Sequence, residues 1–268
     1  MRQIALMKKL LLILALFLPS ANMRAQHQPP PEAREEVEMG LKAHRNSHFE
    51  EAAQHFQRAI AIDKDFCWAR LYVAESLAAQ YAPHVESADN LAKMKQAYEH
   101  YQTAMKCEPA LSSAALRGMA YLKVLMEQPA EARDLYRQLL KIEGDYRDTY
   151  YAIATCDLIE AEANTAAEKA RLGLKPDGSL ADDPACPALR KRNLPLVEDG
   201  LQMLSKAMWL HTANDGGDQV TASVLYLQRA EIECGDPVAK KAAEKNAAEW
   251  NALAAKVANK QRDAAKQQ

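Results

Sequence analysis

Residues 39–59 read MGLKAHRNSHFEEAAQHFQRA and contain the pattern that decides the fold. After a short polar turn, Ala52, Phe56 and Ala59 recur at steps of four and three, which places them on one stripe of a helix. Gly40 is a further small residue before the turn, in a segment with a helical pattern of its own. Two helices can approach closely at small residues, and the large Phe56 then fills the remaining gap. The stretch predicts a helical hairpin.

The same stripe returns three more times along the chain. The later copies are Ala97, Tyr101 and Ala104 (with Pro109 closing the unit), then Ala132, Tyr136 and Leu139 after Met119-Ala120, and finally Gly200, Leu204 and Ala207. Their leading small residues are separated by 45, 35 and 68 residues, and the last interval is twice 34. Because one such hairpin buries little apolar surface alone, the repeat predicts a stack of hairpins.

A period of 34 residues with this stripe resembles the tetratricopeptide-repeat (TPR) family. Trp68 and Leu71 look like the W-x-x-L that opens the family's repeat. Three TPR-like hairpins are expected over residues 34–143. The resemblance implies an all-α, right-handed α-α superhelix whose concave groove holds a partner protein or peptide. The alternative is an irregular helical bundle in which the spacing is accidental.

Beyond residue 143 the register of the repeat becomes irregular. Residues 144–212 are predicted to form an extended helical hairpin with a turn-rich loop at 173–187. A final helix pair with a cap is predicted over 213–262, where Asp236 caps the last helix and Pro237 is its first residue. An amphipathic last helix covers the open end of a stacked array. The tail, 263–268, is expected to be disordered.

Composition agrees with a helical chain and excludes several classes of protein. Residues that favour helices dominate the 268-residue sequence, whereas aromatic residues make up only 6% of it. The formal net charge of −2 gives no reason to expect a nucleic-acid partner.

The first segment resembles a secretory signal peptide. Residues 1–25 have a basic start, an unbroken apolar run from Leu10 to Leu18 and small residues after it. The apolar run is too short to span a bilayer, so cleavage is favoured over an uncleaved anchor. Residues 26–33 are expected to be a Pro-rich linker. Removing 1–25, which hold four basic and no acidic residues, lowers the formal charge to −6. The mature chain is expected in the periplasm or outside the cell, with no membrane partner.

Export makes disulfide bonds possible. Cys67 opens the first helix of the second predicted hairpin and Cys107 closes the second helix, so the open ends could bring them together. Cys186 and Cys234 lie near the start and the end of two successive antiparallel helices. These are two candidate pairs, with Cys156 left over. Buried free thiols are the alternative.

No motif for catalysis, metal binding or cofactor binding stands out. His44, His48 and His55 are close in sequence, but a turn interrupts the helical spacing that would let them share a metal ion. Gly-rich phosphate loops, nucleophile elbows and Cys-x-x-Cys pairs do not occur in the sequence. We therefore expect no enzyme activity, no metal and no cofactor. An unrecognised site in the 173–195 region would be the exception.

The family resemblance assigns a groove position to the first helix of each hairpin. The partner-binding residues so implied are Arg34, Leu41, His44, Val73, Arg117, Tyr121, Tyr151 and Thr155. Tyrosine and arginine are frequent anchors in interfaces. The expected function is a non-catalytic protein–protein interaction scaffold of the cell envelope. The alternative is a structural assembly or spacer subunit of an envelope or homo-oligomeric complex.

Overall fold

The computed structural model describes residues 27–85, 87–210 and 216–265. In those ranges every regular element is helical, and a 3-10 turn, Pro109–Leu111, precedes the fifth helix. The predicted signal peptide, 1–25, lies outside the described residues. The ten α-helices are α1 (Pro31–Arg45), α2 (Phe49–Ile62), α3 (Cys67–Ala79), α4 (Ala88–Cys107), α5 (Ser112–Leu125), α6 (Pro129–Glu143), α7 (Arg147–Arg171), α8 (Cys186–Leu210), α9 (Gly217–Glu231) and α10 (Pro237–Ala265).

Consecutive helices pair as hairpins, and each hairpin packs on the next through one continuous core. In the first hairpin the Phe56 ring of α2 lies against Gly40 of α1, where an added Cβ would come within 2.5 Å of the ring. Ala52, Phe56 and Ala59 are fully buried. The stripe that predicted the hairpin is therefore the surface that closes it.

Two details of the N-terminal half differ from the sequence prediction. Helix α1 begins at Pro31 rather than Arg34, because proline is tolerated in the first helical turn, where an N–H has no intrahelical acceptor. Trp68, the first residue of the W-x-x-L stretch, has a side chain that is 46% exposed beside the ring of Tyr72, whereas Leu71 is buried. Ala69 and Ala74 are the fully buried alanines of α3.

The second hairpin contains the insertion that lengthens its repeat. Helix α4 has 20 residues against 13 in α3, and Ser87 caps it by accepting a hydrogen bond from the Asn90 backbone N–H. The Asn90 side-chain oxygen accepts a hydrogen bond from the Ala82 N–H. Its side-chain nitrogen donates to the carbonyl groups of Ala82 and Val85. These bonds hold the connecting loop against its own helix.

The extended hairpin consists of α7 and α8, each of 25 residues. Helix α8 continues through Pro195, so this proline is not a helix boundary. The loop before α8 packs against the end of α9: Leu180 is fully buried, and the Gly235 N–H donates to the Ala181 carbonyl at 2.9 Å. The loop is therefore packed against the rest of the protein.

Two disulfide bonds join hairpin ends. Cys67 pairs with Cys107 across the second hairpin, with Cα atoms 5.8 Å apart. Cys186 pairs with Cys234 and ties the start of α8 to the chain after α9, with Cα atoms 5.6 Å apart. Cys156 is free and buried in α7. Burial, with the Asp157 carboxyl beside it, raises the pKa of the Cys156 thiol to about 12.

The last helix closes the array. Asp236 accepts hydrogen bonds from the N–H groups of Val238 and Ala239, and Pro237 is the first helical residue. Helix α10 runs to Ala265, so the first three residues of the predicted disordered tail are helical. Among the helices described, none combines the length and the apolar character required to cross a bilayer.

Candidate functional site

The inner helices α3, α5 and α7 line a cleft of about 500 Å³. All three are the first helix of a hairpin, which is the position that the repeat assigns to the concave surface. The cleft is lined by Glu75, Tyr101, Ala114, Arg117, Gly118, Tyr121, Tyr136, Asp148 and Ala152. Because Ala114 and Ala152 have small side chains, the helices leave open space between them, whereas the space beside Gly118 is filled by the Tyr101 ring.

Two tyrosines from the outer helices form part of the cleft lining. Tyr101 of α4 is 4% exposed and Tyr136 of α6 is 8% exposed, and both are large residues of the repeat stripe. Burial raises the pKa of Tyr136 to about 12 and raises that of Tyr101 as well, so both phenols are neutral at physiological pH. No residue in the described part of the chain forms a hydrogen bond with either hydroxyl.

Glu75 of α3 contributes a half-buried carboxyl group to the cleft. Burial raises its pKa, because the ionised form loses hydration there. Across residues 27–85, 87–210 and 216–265, no cation pairs with this carboxyl group and no donor bonds it. Its polar atoms are therefore available to a ligand.

Arg117 of α5 is already engaged within the protein. Its Nη2 atom donates to both carboxylate oxygens of Glu143, at 2.8 and 3.0 Å, and its guanidinium lies over the Tyr146 ring at 5.3 Å. Its neighbour Tyr121 is 54% exposed and forms an accessible wall of the cleft. Of the predicted groove residues, Arg117 and Tyr121 are the two that line this cleft.

Other predicted groove residues lie elsewhere. Arg34 is exposed on α1, and Leu41 lines a separate surface depression on that helix. The ring of His44 packs edge-on against Phe49 at 5.0 Å. None of these three lines the cleft.

Val73 cannot contact a partner, so its assignment to the groove is wrong. It is fully buried, because α3 is packed between α2 and the helices that follow it. Tyr151 and Thr155 do not line the cleft, and Tyr151 contacts α9 instead. The Tyr151 hydroxyl lies 3.4 Å from the Thr221 hydroxyl of α9, and the Thr155 hydroxyl donates to the Tyr151 carbonyl at 2.9 Å.

The histidines interact with separate partners. His55 bonds Glu36 at 2.7 Å, whereas His48 lies in the turn, 3.4 Å from Glu51. Within the described ranges, no group of three or more His, Cys, Asp or Glu side chains is arranged to hold a metal ion.

Sequence reasoning missed Glu75, Tyr101 and Tyr136 as members of the site. Both tyrosines were assigned to the core stripe, and they are core residues whose outer ends reach the cleft. Glu75 follows the buried Val73-Ala74 pair and is succeeded by the buried Ser76-Leu77 pair. Because the burial of these neighbours is known only from the structure, no signal in the sequence pointed to Glu75.

Comparison of the sequence finds no matching family model and no matching curated protein. The fold is similar to solved structures of low identity. MamA from Desulfovibrio magneticus RS-1 is 13% identical, with a TM-score of 0.58 over 87% of this chain and 99% of that one. Another crystal structure of MamA is 9% identical, with a TM-score of 0.54 over 87% and 94% of the two chains.

YrrB, a TPR protein whose structure is described as having an unusual peptide-binding site, is 12% identical to this chain. Its TM-score is 0.50, over 85% of this chain and 92% of that one. At such identities the likeness shows the fold alone. Together with the internal repeat, it shows that the fold is a right-handed α-α superhelix similar to that of tetratricopeptide-repeat proteins.

Proposed function

We propose that the protein is a non-catalytic scaffold that binds a segment of a partner protein in the cleft between α3, α5 and α7. The observation that carries the proposal is the cleft itself, which spans three successive hairpins and exposes Tyr121 on its wall. A volume of about 500 Å³ suits a few side chains of a peptide. Aromatic side chains at the centre of a concave surface are frequent anchors for a partner.

The similarity to YrrB supports the proposal that the cleft binds a peptide segment, since that protein has a similar fold and a peptide-binding site. The position of the cleft agrees with it as well. A partner that lies across several inner helices contacts a surface that no single hairpin provides, so affinity depends on the stack being intact.

The test starts from a random peptide library displayed on phage and selected on the purified protein. Affinities of the selected peptides are then measured by fluorescence polarisation for the unchanged protein and for Tyr121→Ala. We expect a loss of about tenfold or more, because an aromatic anchor is removed. The matched control is Ile142→Ala on the outer helix α6, whose side chain is 54% exposed, as is that of Tyr121.

Equal affinities for the Tyr121→Ala variant and the unchanged protein would place binding outside the cleft. Failure of the library to yield any specific peptide would oppose the proposal altogether. The Ile142→Ala control distinguishes a local contact in the cleft from the general loss of an exposed apolar side chain.

We further propose that the protein acts in the cell envelope or outside the cell. Residues 1–25 have the layout of a signal peptide, and two disulfide bonds suit an oxidising compartment. Expression of the full chain in a bacterium, followed by fractionation and determination of the mature N-terminus, tests this. Retention in the cytoplasm at full length would contradict it.

One observation favours assembly as a second candidate function. Trp209 at the end of α8 is 84% exposed, and Val220 of α9 is about half exposed. Association with a second copy at this end would cover such apolar side chains and remove them from water. If this end of the solenoid associates with a second copy, sedimentation should show a dimer that Trp209→Ala dissociates. A concentration-independent monomer would exclude this candidate.

A further inference from the structure

We propose that the cleft between α3, α5 and α7 recognises a positively charged side chain, lysine or arginine, of the bound peptide. This inference rests on the proposed function and names the chemistry of the partner. It is drawn from three features of the cleft lining: the charge that remains unpaired, the acceptors that remain unbonded and the aromatic rings around them.

The charge balance of the cleft is negative. Arg117 is neutralised by Glu143 at 2.8 Å, and Asp148 pairs at 2.9 Å with Arg147, an arginine that it shares with the buried Asp218. Glu75 has no counter-ion among the residues that the structure describes. A cation entering the cleft therefore meets a carboxylate that no other group has neutralised, whereas an anion is repelled by it.

The burial of Glu75 strengthens this preference. Its pKa is raised because the ionised carboxylate is poorly hydrated in the cleft. An ammonium or guanidinium group that donates to the carboxylate replaces the lost hydration and favours ionisation. An apolar side chain in the same place would exclude water and leave the carboxyl group with nothing to bond.

The tyrosines add acceptors and ring faces. Tyr101 and Tyr136 are more than nine-tenths buried and line the cleft, yet no described residue bonds their hydroxyl groups. A phenol oxygen accepts hydrogen bonds from a cation that carries several N–H donors. The exposed ring of Tyr121 also supplies a surface that attracts a cation.

The residues between the aromatic groups are small. Ala114 of α5 and Ala152 of α7 leave room for a long side chain to enter between the helices, whereas the Tyr101 ring fills the space beside Gly118. An alkyl chain that carries its charge at the tip fits this arrangement, with the stem along the small residues and the tip at Glu75.

The experiment uses three acetylated, amidated peptides of seven residues, Ala-Ala-Ala-X-Ala-Ala-Ala, with X as lysine, norleucine or glutamate. Norleucine has the alkyl stem of lysine without the charge. Binding to the ¹⁵N-labelled, disulfide-intact protein is followed through the amide resonances of Ala114, Gly118 and Ala152. We expect the lysine peptide to bind about tenfold tighter than the norleucine peptide, and the glutamate peptide to bind more weakly still.

The decisive variant is Glu75→Gln, which keeps the shape of the side chain and removes its charge. It should reduce the lysine affinity to that of norleucine, whereas Glu99→Gln on the exposed surface of α4 should leave it unchanged. Circular dichroism and an unchanged amide spectrum outside the cleft show that the variant is folded.

The outcomes separate this inference from the function on which it rests. If norleucine or glutamate peptides bind the cleft as tightly as lysine, the cation preference is wrong and peptide binding in the cleft stands. If Glu75→Gln leaves the lysine affinity unchanged, the assignment of Glu75 is wrong. If none of the three peptides shifts the cleft resonances, the inference is overturned, and the phage-selected peptides separately decide whether the cleft binds peptides at all.

Discussion

The Tyr101 side chain occupies the space that a side chain on Gly118 would need. A Cβ atom on Gly118 would lie 2.6 Å from the Tyr101 hydroxyl oxygen and closer still to the ring. Tyr101 belongs to the second hairpin and Gly118 to the third, so this contact sets how closely the two hairpins approach. It also lies in the cleft, because both residues line it.

Gly118→Ala should therefore destabilise the protein despite the better helix propensity of alanine. We expect the free energy of unfolding to fall by about 1–2 kcal/mol, because the buried Tyr101 ring must move. Urea denaturation measures the change. In the background Tyr101→Leu the clash is absent, so the cost of Gly118→Ala should shrink there. Additive effects in this double-mutant cycle would contradict the contact.

Asp157 should make stability depend on pH. Its carboxyl group is buried beside Asp199, and burial followed by the Asp199 contact raises its pKa from 3.8 to about 7, although Arg133 donates to it at 2.7 Å. Between these two values the folded state binds more protons than the unfolded state. The protonated carboxyl group therefore makes its whole contribution to the free energy of unfolding below about pH 4. This contribution is lost as the pH rises towards about 7.

Replacement of this carboxyl group tests the dependence. Asp157→Asn should flatten the decline in unfolding free energy between pH 4 and 7, as measured by urea denaturation at several pH values. The control is Asp134→Asn on the exposed surface of α6. A decline of the same slope in Asp157→Asn would mean that other groups cause it.

The disulfide bonds should leave one thiol in the oxidised protein. Cys156 is buried with its pKa raised to about 12, so a thiol reagent should find no reactive group in the native state and one after denaturation. Reduction before denaturation should give five. Five reactive thiols in the denatured, unreduced protein would show that neither bond forms.

The bond between Cys186 and Cys234 should contribute strongly to stability. It closes a separation of 48 residues, for which the loss of chain entropy in the unfolded state corresponds to about 4 kcal/mol. The double variant Cys186→Ser, Cys234→Ser should lower the free energy of unfolding by that order, as measured in denaturant. A change below about 1 kcal/mol would indicate that the packed loop alone holds this end.

The ion pair of Arg147 and Asp218 should stabilise the contact of α7 with α9. Asp218 is buried and accepts from Arg147 Nη2 at 3.0 Å. Arg147→Leu leaves that carboxylate buried without its counter-ion and should cost about 3 kcal/mol in unfolding free energy. Asp148→Asn, which removes the exposed partner of the same arginine, should cost less than about 1 kcal/mol. Equal costs would contradict the difference in burial.

Much of the fold could be predicted, because the packing of two helices requires small and large residues at fixed spacings along the sequence. Gly40, Ala52 and Phe56 are spaced as close helix packing requires, and the structure shows them in contact or fully buried. The exposure of Trp68 could not be read from the motif, since its side chain is half exposed whereas that of Leu71 is buried.

The site could be predicted only in part. Arg117 and Tyr121 were assigned to the groove and line the cleft, whereas Val73 was assigned to it and is buried. Periodicity separates buried from exposed faces of one helix, but it does not reveal which neighbouring helix covers a given face. Glu75 was missed because a single carboxyl group carries no signal until its surroundings are known.

The sequence alone determined the helical class, the repeat and the residues that close each hairpin, because these depend on spacings within a few turns of helix. Only the tertiary structure decided which residues form the cleft, since Glu75, Tyr121 and Asp148 come from three hairpins and meet only after stacking. The tertiary structure also decided which polar groups of the cleft are free to bind a ligand. Whether a carboxyl group or a phenol is paired depends on distances and burial between helices, and no spacing along the chain records those quantities.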